Sequence, residues 1–177
     1  MLVHQTIFQA FCDTASKNPD GPFLMAPTKS DSDRKTYSFT SVLNQVDSLS
    51  NLFSEKGYVS NMRIATLLGS SPEHYILKLA LNKIGVSVVP INPDYTSDET
   101  SYLLQDSDAV LVISSLNYVD QIKEAISYKK LDLKLSIYED LESLPPNKSA
   151  AGIEPPVSPN TEASLLYTSG TTGRPKG

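Results

Sequence analysis

Ile7, Phe8, Phe11, Cys12 and Ala15 recur at the spacing of one helical face, behind Thr6, a residue able to cap it, and ahead of the stop Asn18-Pro19-Asp20-Gly21. The apolar run Phe23-Leu24-Met25 and the segment Thr36-Tyr37-Ser38-Phe39, with a polar stretch at 28–35 between them, predict a hairpin. Helical spacing returns in Val42, Val46, Leu49, Leu52 and Phe53, which predicts a helix from Thr40 to about Lys56, closed by Gly57 in a left-handed cap.

From there the pattern alternates. Ile64-Ala65-Thr66-Leu67-Leu68 reads as a buried strand, followed by Ser71 as an N-cap with Pro72 at the first helical position. Tyr75, Ile76, Leu79, Ala80 and Ile84 form the buried side of that helix, Gly85 ends it, and 86–90 is the next strand, which makes a βαβ unit. Thr96 and Glu99 fit a capping box that opens a helix through Leu104, closed by Asp106-Ser107-Asp108. Ala109-Val110-Leu111-Val112-Ile113 predicts a buried strand, Val119, Ile122, Ala125 and Ile126 a helix, and 133–138 another strand. Strands separated by helices of this length predict an α/β fold, a largely parallel sheet with helices on both faces. Periodicity fails across 144–162, where Pro145, Pro146, Pro155, Pro156 and Pro159 supply five of the twelve prolines, so an irregular surface connection is expected. Ala163-Ser164-Leu165-Leu166-Tyr167 resumes as a strand.

Composition adds boundaries. A chain of 177 residues suits one domain, and 40% hydrophobic with 20% charged residues is ordinary for a globular protein. A net charge of −5 argues against a nucleic-acid or anionic-membrane surface. Cys12 is the only cysteine, so no internal disulfide forms, and it is expected as a small core residue of the first helix. His4 and His74 lie far apart with no cysteine or acidic cluster at ligand spacing, which excludes a structural zinc pattern and leaves them as surface or half-buried histidines. There is no signal-peptide pattern and no run near the roughly 18 apolar residues of a membrane helix, so the expected setting is cytoplasmic.

Chemistry concentrates in Tyr167-Thr168-Ser169-Gly170-Thr171-Thr172-Gly173-Arg174-Pro175-Lys176-Gly177. Its glycines let the backbone bend or approach a ligand, its hydroxyls donate, and Lys176 supplies a compact positive charge. That composition alone also describes a flexible linker; the order of residues is what points to a polyphosphate. It is not the NTPase P-loop, because Arg174 and Pro175 separate Gly173 from Lys176 and no hydroxyl follows the lysine.

Position for position, this stretch resembles the Y-T-S-G-T-T-G-x-P-K-G signature of the adenylate-forming superfamily, which includes acyl-CoA synthetases, luciferases and peptide-synthetase adenylation domains. Upstream segments are similar to the same family in the same order: Thr36-Tyr37-Ser38-Phe39, Asn61-Met62-Arg63-Ile64-Ala65, Ser71-Pro72-Glu73, and 83–93 with Asn92. Asn61-Met62 replaces the usual Gly-Asp, and Asp108 stands where D-S-G carries glycine, which leaves the shape of those two turns open. Asn92 and the Thr171-Thr172 pair look more like acyl-CoA synthetases than peptide-synthetase domains.

The resemblance implies the N-terminal part of an adenylate-forming enzyme's large domain. It implies a two-step reaction: a carboxylate attacks ATP to give an acyl-adenylate and pyrophosphate, then a thiol, usually CoA, displaces AMP, with Mg²⁺ as cofactor. Thr168, Ser169, Gly170, Thr171, Thr172, Gly173 and Lys176 are the implied nucleotide-binding residues, with Thr168 also in the Mg²⁺ environment. Gly173 and Gly177 serve backbone shape, Arg174 faces solvent, and Tyr167 is expected as the last core residue of its strand. In the family the adenine and acyl pockets, an acidic Mg²⁺ ligand and the catalytic lysine follow this signature, so no catalytic residue is assigned. Residues 1–177 are therefore expected to be an incomplete N-terminal subdomain, without the C-terminal domain and inactive in adenylation by themselves, whose partner is the remainder of the enzyme. A non-catalytic nucleotide-binding or interaction module is the alternative.

Overall fold

The computed structural model describes residues 5–28, 33–148, 156–169 and 175–177. Helix α1 (Ile7–Lys17) opens with a capping box in which Thr6 Oγ1 accepts from the Gln9 amide and Gln9 Oε1 accepts from the Thr6 amide. Strands β1 (Pro22–Pro27) and β2 (Arg34–Ser38) pair antiparallel, as the sequence predicts. Helix α2 (Phe39–Glu55) begins one residue earlier than expected, because Ser38 acts as its cap and accepts from the Ser41 amide at 3.1 Å. Gly57 follows with φ +82°, the left-handed geometry that stops the helix.

Strand β3 (Arg63–Leu67), helix α3 (Pro72–Lys83) and strand β4 (Ser87–Pro90) form the βαβ unit, with Ser71 capping α3. Helix α4 (Ser97–Asp106) carries the Thr96–Glu99 capping box, and strand β5 (Leu111–Ser114), helix α5 (Val119–Tyr128) and strand β6 (Lys134–Ile137) complete the alternation. The sheet order is β4-β3-β5-β6, and every pair is parallel. Because side chains alternate along a strand, Ile64, Val88, Leu111 and Ile113 pack with Phe53 of α2 and Leu77 and Leu81 of α3. Ala65, Leu67, Val89 and Val112 pack on the opposite face with Leu103 and Leu104 of α4 and Ile122 of α5. A third cluster of Phe11, Tyr37, Val42, Val46, Ile76, Leu79 and Ala80 joins α1, β2 and α2 to α3.

Several expectations need correcting. The strand expected at 109–113 starts at Leu111 and runs to Ser114, because Asp108 takes φ +53° and the chain is still turning into the sheet; Val110 keeps 38% of its surface. The strand expected at 163–167 reduces to a single parallel bridge between Ser164 and Val88 of the four-residue β4. The described part of 144–162 has neither helix nor strand, but it is not wholly superficial: Leu144 is buried and the Pro145 carbonyl accepts from Tyr58 Oη at 3.0 Å. Cys12 lies half-exposed at the edge of the third cluster rather than inside it. His74 is half-buried, and His4 lies outside the described residues. Among the described residues no helix is long and apolar enough to cross a membrane.

Candidate functional site

The approach to the glycine loop is built at the edge of the sheet. Val88 donates its amide to the Ala163 carbonyl at 3.2 Å, and Leu165 donates to the Val88 carbonyl at 3.1 Å, so the segment runs alongside β4. Asn82 Nδ2 at the end of α3 donates to the carbonyls of Val86 at 3.0 Å and Ala163 at 2.8 Å, a tie between helix, strand and approach that no local sequence pattern announces.

Two side-chain anchors flank it. Arg63, the first residue of β3, donates through Nε and Nη2 to the two carboxylate oxygens of Glu162 at 2.7 and 2.8 Å, and through Nη1 to the Ser107 carbonyl at 3.2 Å. This bidentate guanidinium holds the Glu162 carboxyl below the usual carboxylate range. Further along, Tyr167 Oη donates to Asp106 Oδ2 at 2.6 Å, and Tyr95 Oη reaches the Tyr167 carbonyl at 3.4 Å. Burial first, and then the Asp106 carboxylate, push the Tyr167 phenol well above its ordinary range. Tyr167 is half-buried against the α4/α5 face of the core, so it is both a packing residue, as expected, and the donor of a specific hydrogen bond.

Immediately after Tyr167, strand β7 (Thr168–Ser169) pairs antiparallel with strand β8 (Pro175–Lys176), with Thr168 opposite Lys176 and Ser169 opposite Pro175. The two ends of the loop are thus side by side. Thr168 and Lys176 are both exposed, and among the described residues no carboxylate pairs with the Lys176 ammonium. Gly177 lies against the Tyr167 ring; a Cβ at that position would stand 2.8 Å from Tyr167 Cζ, so any larger residue would displace the ring. Of the residues singled out from sequence, Thr168, Ser169 and Lys176 are brought together, whereas Gly170, Thr171, Thr172, Gly173 and Arg174 lie outside the described residues.

An exposed ammonium and a hydroxyl at the base of a closed glycine loop match a polyphosphate in charge and in donors. A metal is a different matter. Among the described residues there is no group of three or more His, Cys, Asp or Glu side chains able to bind an ion, and Thr168 offers a single neutral oxygen, so a Mg²⁺ there would draw its other ligands from the nucleotide's phosphates and water.

A family model described as AMP-binding enzyme matches residues 11–177. Tyrocidine synthase 2 of Brevibacillus parabrevis is 30% identical over 173 residues, which is 98% of this chain and 4% of that protein. Crotonobetaine/carnitine–CoA ligase of Citrobacter koseri is 27% identical over 157 residues, 81% of this chain and 30% of that protein. Among solved structures, the Klebsiella oxytoca NpsA N-terminal subdomain in complex with 3-hydroxybenzoyl-AMSN superposes with a TM-score of 0.76 at 23% identity, covering 97% of this chain and 40% of that one. O-succinylbenzoate coenzyme A synthetase of Bacillus subtilis, in complex with AMP, gives a TM-score of 0.72 at 21% identity over 98% of this chain and 41% of that one.

Proposed function

The chain belongs to the AMP-binding enzyme family, and from that membership we propose that its hairpin at 168–176 binds the β- and γ-phosphates of ATP in an adenylate-forming enzyme. The observation that carries this reading is the β7–β8 pairing, which sets Lys176 beside Thr168 at the mouth of the glycine loop. In the first step a carboxylate oxygen attacks the α-phosphorus and pyrophosphate leaves. Negative charge then grows on the leaving group, where a positioned ammonium and hydroxyl donors stabilise it. In the second step a thiol attacks the acyl carbon and AMP departs. Thr168, Ser169, Gly170, Thr171, Thr172, Gly173 and Lys176 form the nucleotide-binding set, and Mg²⁺ accompanies the nucleotide without a protein-held site among the described residues.

Within the family the reading is an ATP-dependent acyl-CoA synthetase with CoA as the thiol, supported by Asn92 and by the Thr171-Thr172 pair. A peptide-synthetase adenylation domain is the second reading, favoured by the alignment with tyrocidine synthase 2 over 98% of the chain. Residues 1–177 then act as the N-terminal part of the ATP-binding domain, in the cytoplasm, and complete the site together with the rest of such an enzyme. Titration calorimetry with Mg-ATP on the 177-residue chain tests the phosphate assignment. Lys176→Ala is expected to weaken binding by roughly 10-fold or more, the loss of one charge-assisted contact. Equal affinities for the two proteins would remove Lys176 from the site. ATP–pyrophosphate exchange is expected to be absent from both, and exchange by the wild-type chain above the Lys176→Ala control would overturn its reading as one part of a larger site.

A further inference from the structure

Resting on the phosphate-binding reading above, we infer that Asp106 is a positioning residue for the nucleotide hairpin, acting through Tyr167 to fix where the loop stands on the sheet. Tyr167 meets both ends of that loop. It directly precedes Thr168, and its ring lies against Gly177, where a Cβ would stand 2.8 Å from Tyr167 Cζ and would push the ring aside. Whatever orients this ring therefore sets the entry and the exit of the hairpin together.

Asp106 is the group that orients it. Its Oδ2 accepts from Tyr167 Oη at 2.6 Å, while its Oδ1 accepts from Tyr102 Oη at 3.2 Å, one turn earlier on the same helix. A carboxylate at this location is not explained by the helix itself: Asp106 is the last residue of α4, where the macrodipole presents its negative end and an acidic side chain is disfavoured. The phenol donors answer that charge. α4 is itself fixed, with Leu103 and Leu104 buried against the sheet, so the chain of contact runs from the sheet through α4, Asp106 and Tyr167 to the loop. Among the described residues the hairpin's own ladder is two residues long on each side, with Tyr95 Oη donating to the Tyr167 carbonyl at 3.4 Å as a second tie at its entry.

The test measures amide hydrogen exchange and Mg-ATP affinity on the 177-residue chain carrying Asp106→Ala, Asp106→Asn or Tyr167→Phe. Asp106→Ala is expected to speed exchange of the Thr168, Ser169 and Lys176 amides about tenfold and to weaken Mg-ATP binding by a similar factor, with exchange in β3 and β5 unchanged. Asp106→Asn keeps an acceptor oxygen and is expected to restore most of both. If Asp106→Ala fails to fold, Tyr167→Phe removes the same hydrogen bond while keeping the ring. Loop exchange at the wild-type rate in the folded variants would overturn the proposal. A wild-type chain that binds no Mg-ATP would sink the phosphate reading alone, because the exchange rates still decide whether Asp106 positions the hairpin.

Discussion

The four-stranded sheet and the glycine hairpin are joined by the few residues between the Ser164 bridge and Thr168 but are held by different physics. The sheet is a continuous parallel ladder buried on both faces, through Ile64, Val88, Leu111 and Ile113 on one and Ala65, Leu67, Val89 and Val112 on the other, none of which keeps any exposed surface. The hairpin is exposed at Thr168 and Lys176 and is placed mainly by polar contacts from outside it. Apolar burial is worth about 25 cal/mol per Å², whereas an exposed ion pair such as Arg63–Glu162 contributes about 0–1 kcal/mol. Stability therefore resides in the sheet, and the hairpin's contacts give position rather than stability.

Three measurements press on this contrast. The largest effect is expected from Ile113→Ala, which opens a cavity between the sheet and the α2/α3 layer; unfolding in urea should show a loss of about 2–5 kcal/mol, and a loss below 1 kcal/mol would mean the core is not the scaffold described. A smaller effect is expected from acidification. Burial, assisted by Lys78, lowers the His74 pKa from its ordinary 6.5, so below that pH the unfolded chain takes up a proton that the folded chain refuses. Stability should fall as pH drops from 6.5 toward the folded-state value, and His74→Gln should flatten that slope; parallel pH profiles would refute it. The smallest effect concerns two turns. Asn61 and Asp108 adopt φ +68° and +53°, and replacing either by glycine relieves a strained backbone while adding unfolded-state freedom, for a net gain below about 1 kcal/mol in urea midpoint analysis. A net loss at both would show that the side chains hold the turns.

Those same turns show what a sequence can and cannot disclose. Asn61 and Asp108 depart from a glycine pattern, yet both keep left-handed backbone, which Asn and Asp tolerate better than other side chains. The starts of α1, α3 and α4 were legible because Thr6, Ser71-Pro72 and Thr96 act on amides within their own first turn. The alternation of strand and helix likewise carried the parallel sheet. Strand limits were less legible: apolar residues at 109–113 mark what can be buried, whereas pairing depends on where the neighbouring strand lies. The chemistry proposed for the loop rests on residue order, whereas its anchors leave no such pattern. Arg63 and Glu162 lie 99 residues apart in sequence and Asn82 and Ala163 lie 81 apart, and no periodicity links them. A charged residue opening β3 and another ending the proline-rich stretch were the only traces of that pair.

The bridge between Val88 and Ser164 carries a consequence for the order of assembly. Parallel pairing between distant segments requires a long loop to close first, and such contacts form late and slowly. β3, α3 and β4 can assemble from near neighbours, while the segment leading to the glycine loop has nothing to dock on until β4 is in place. On a ribosome, where the amino-terminal part emerges first, the scaffold is thus available before the glycine hairpin. Within these residues the glycine hairpin is then set in place after the sheet it stands on.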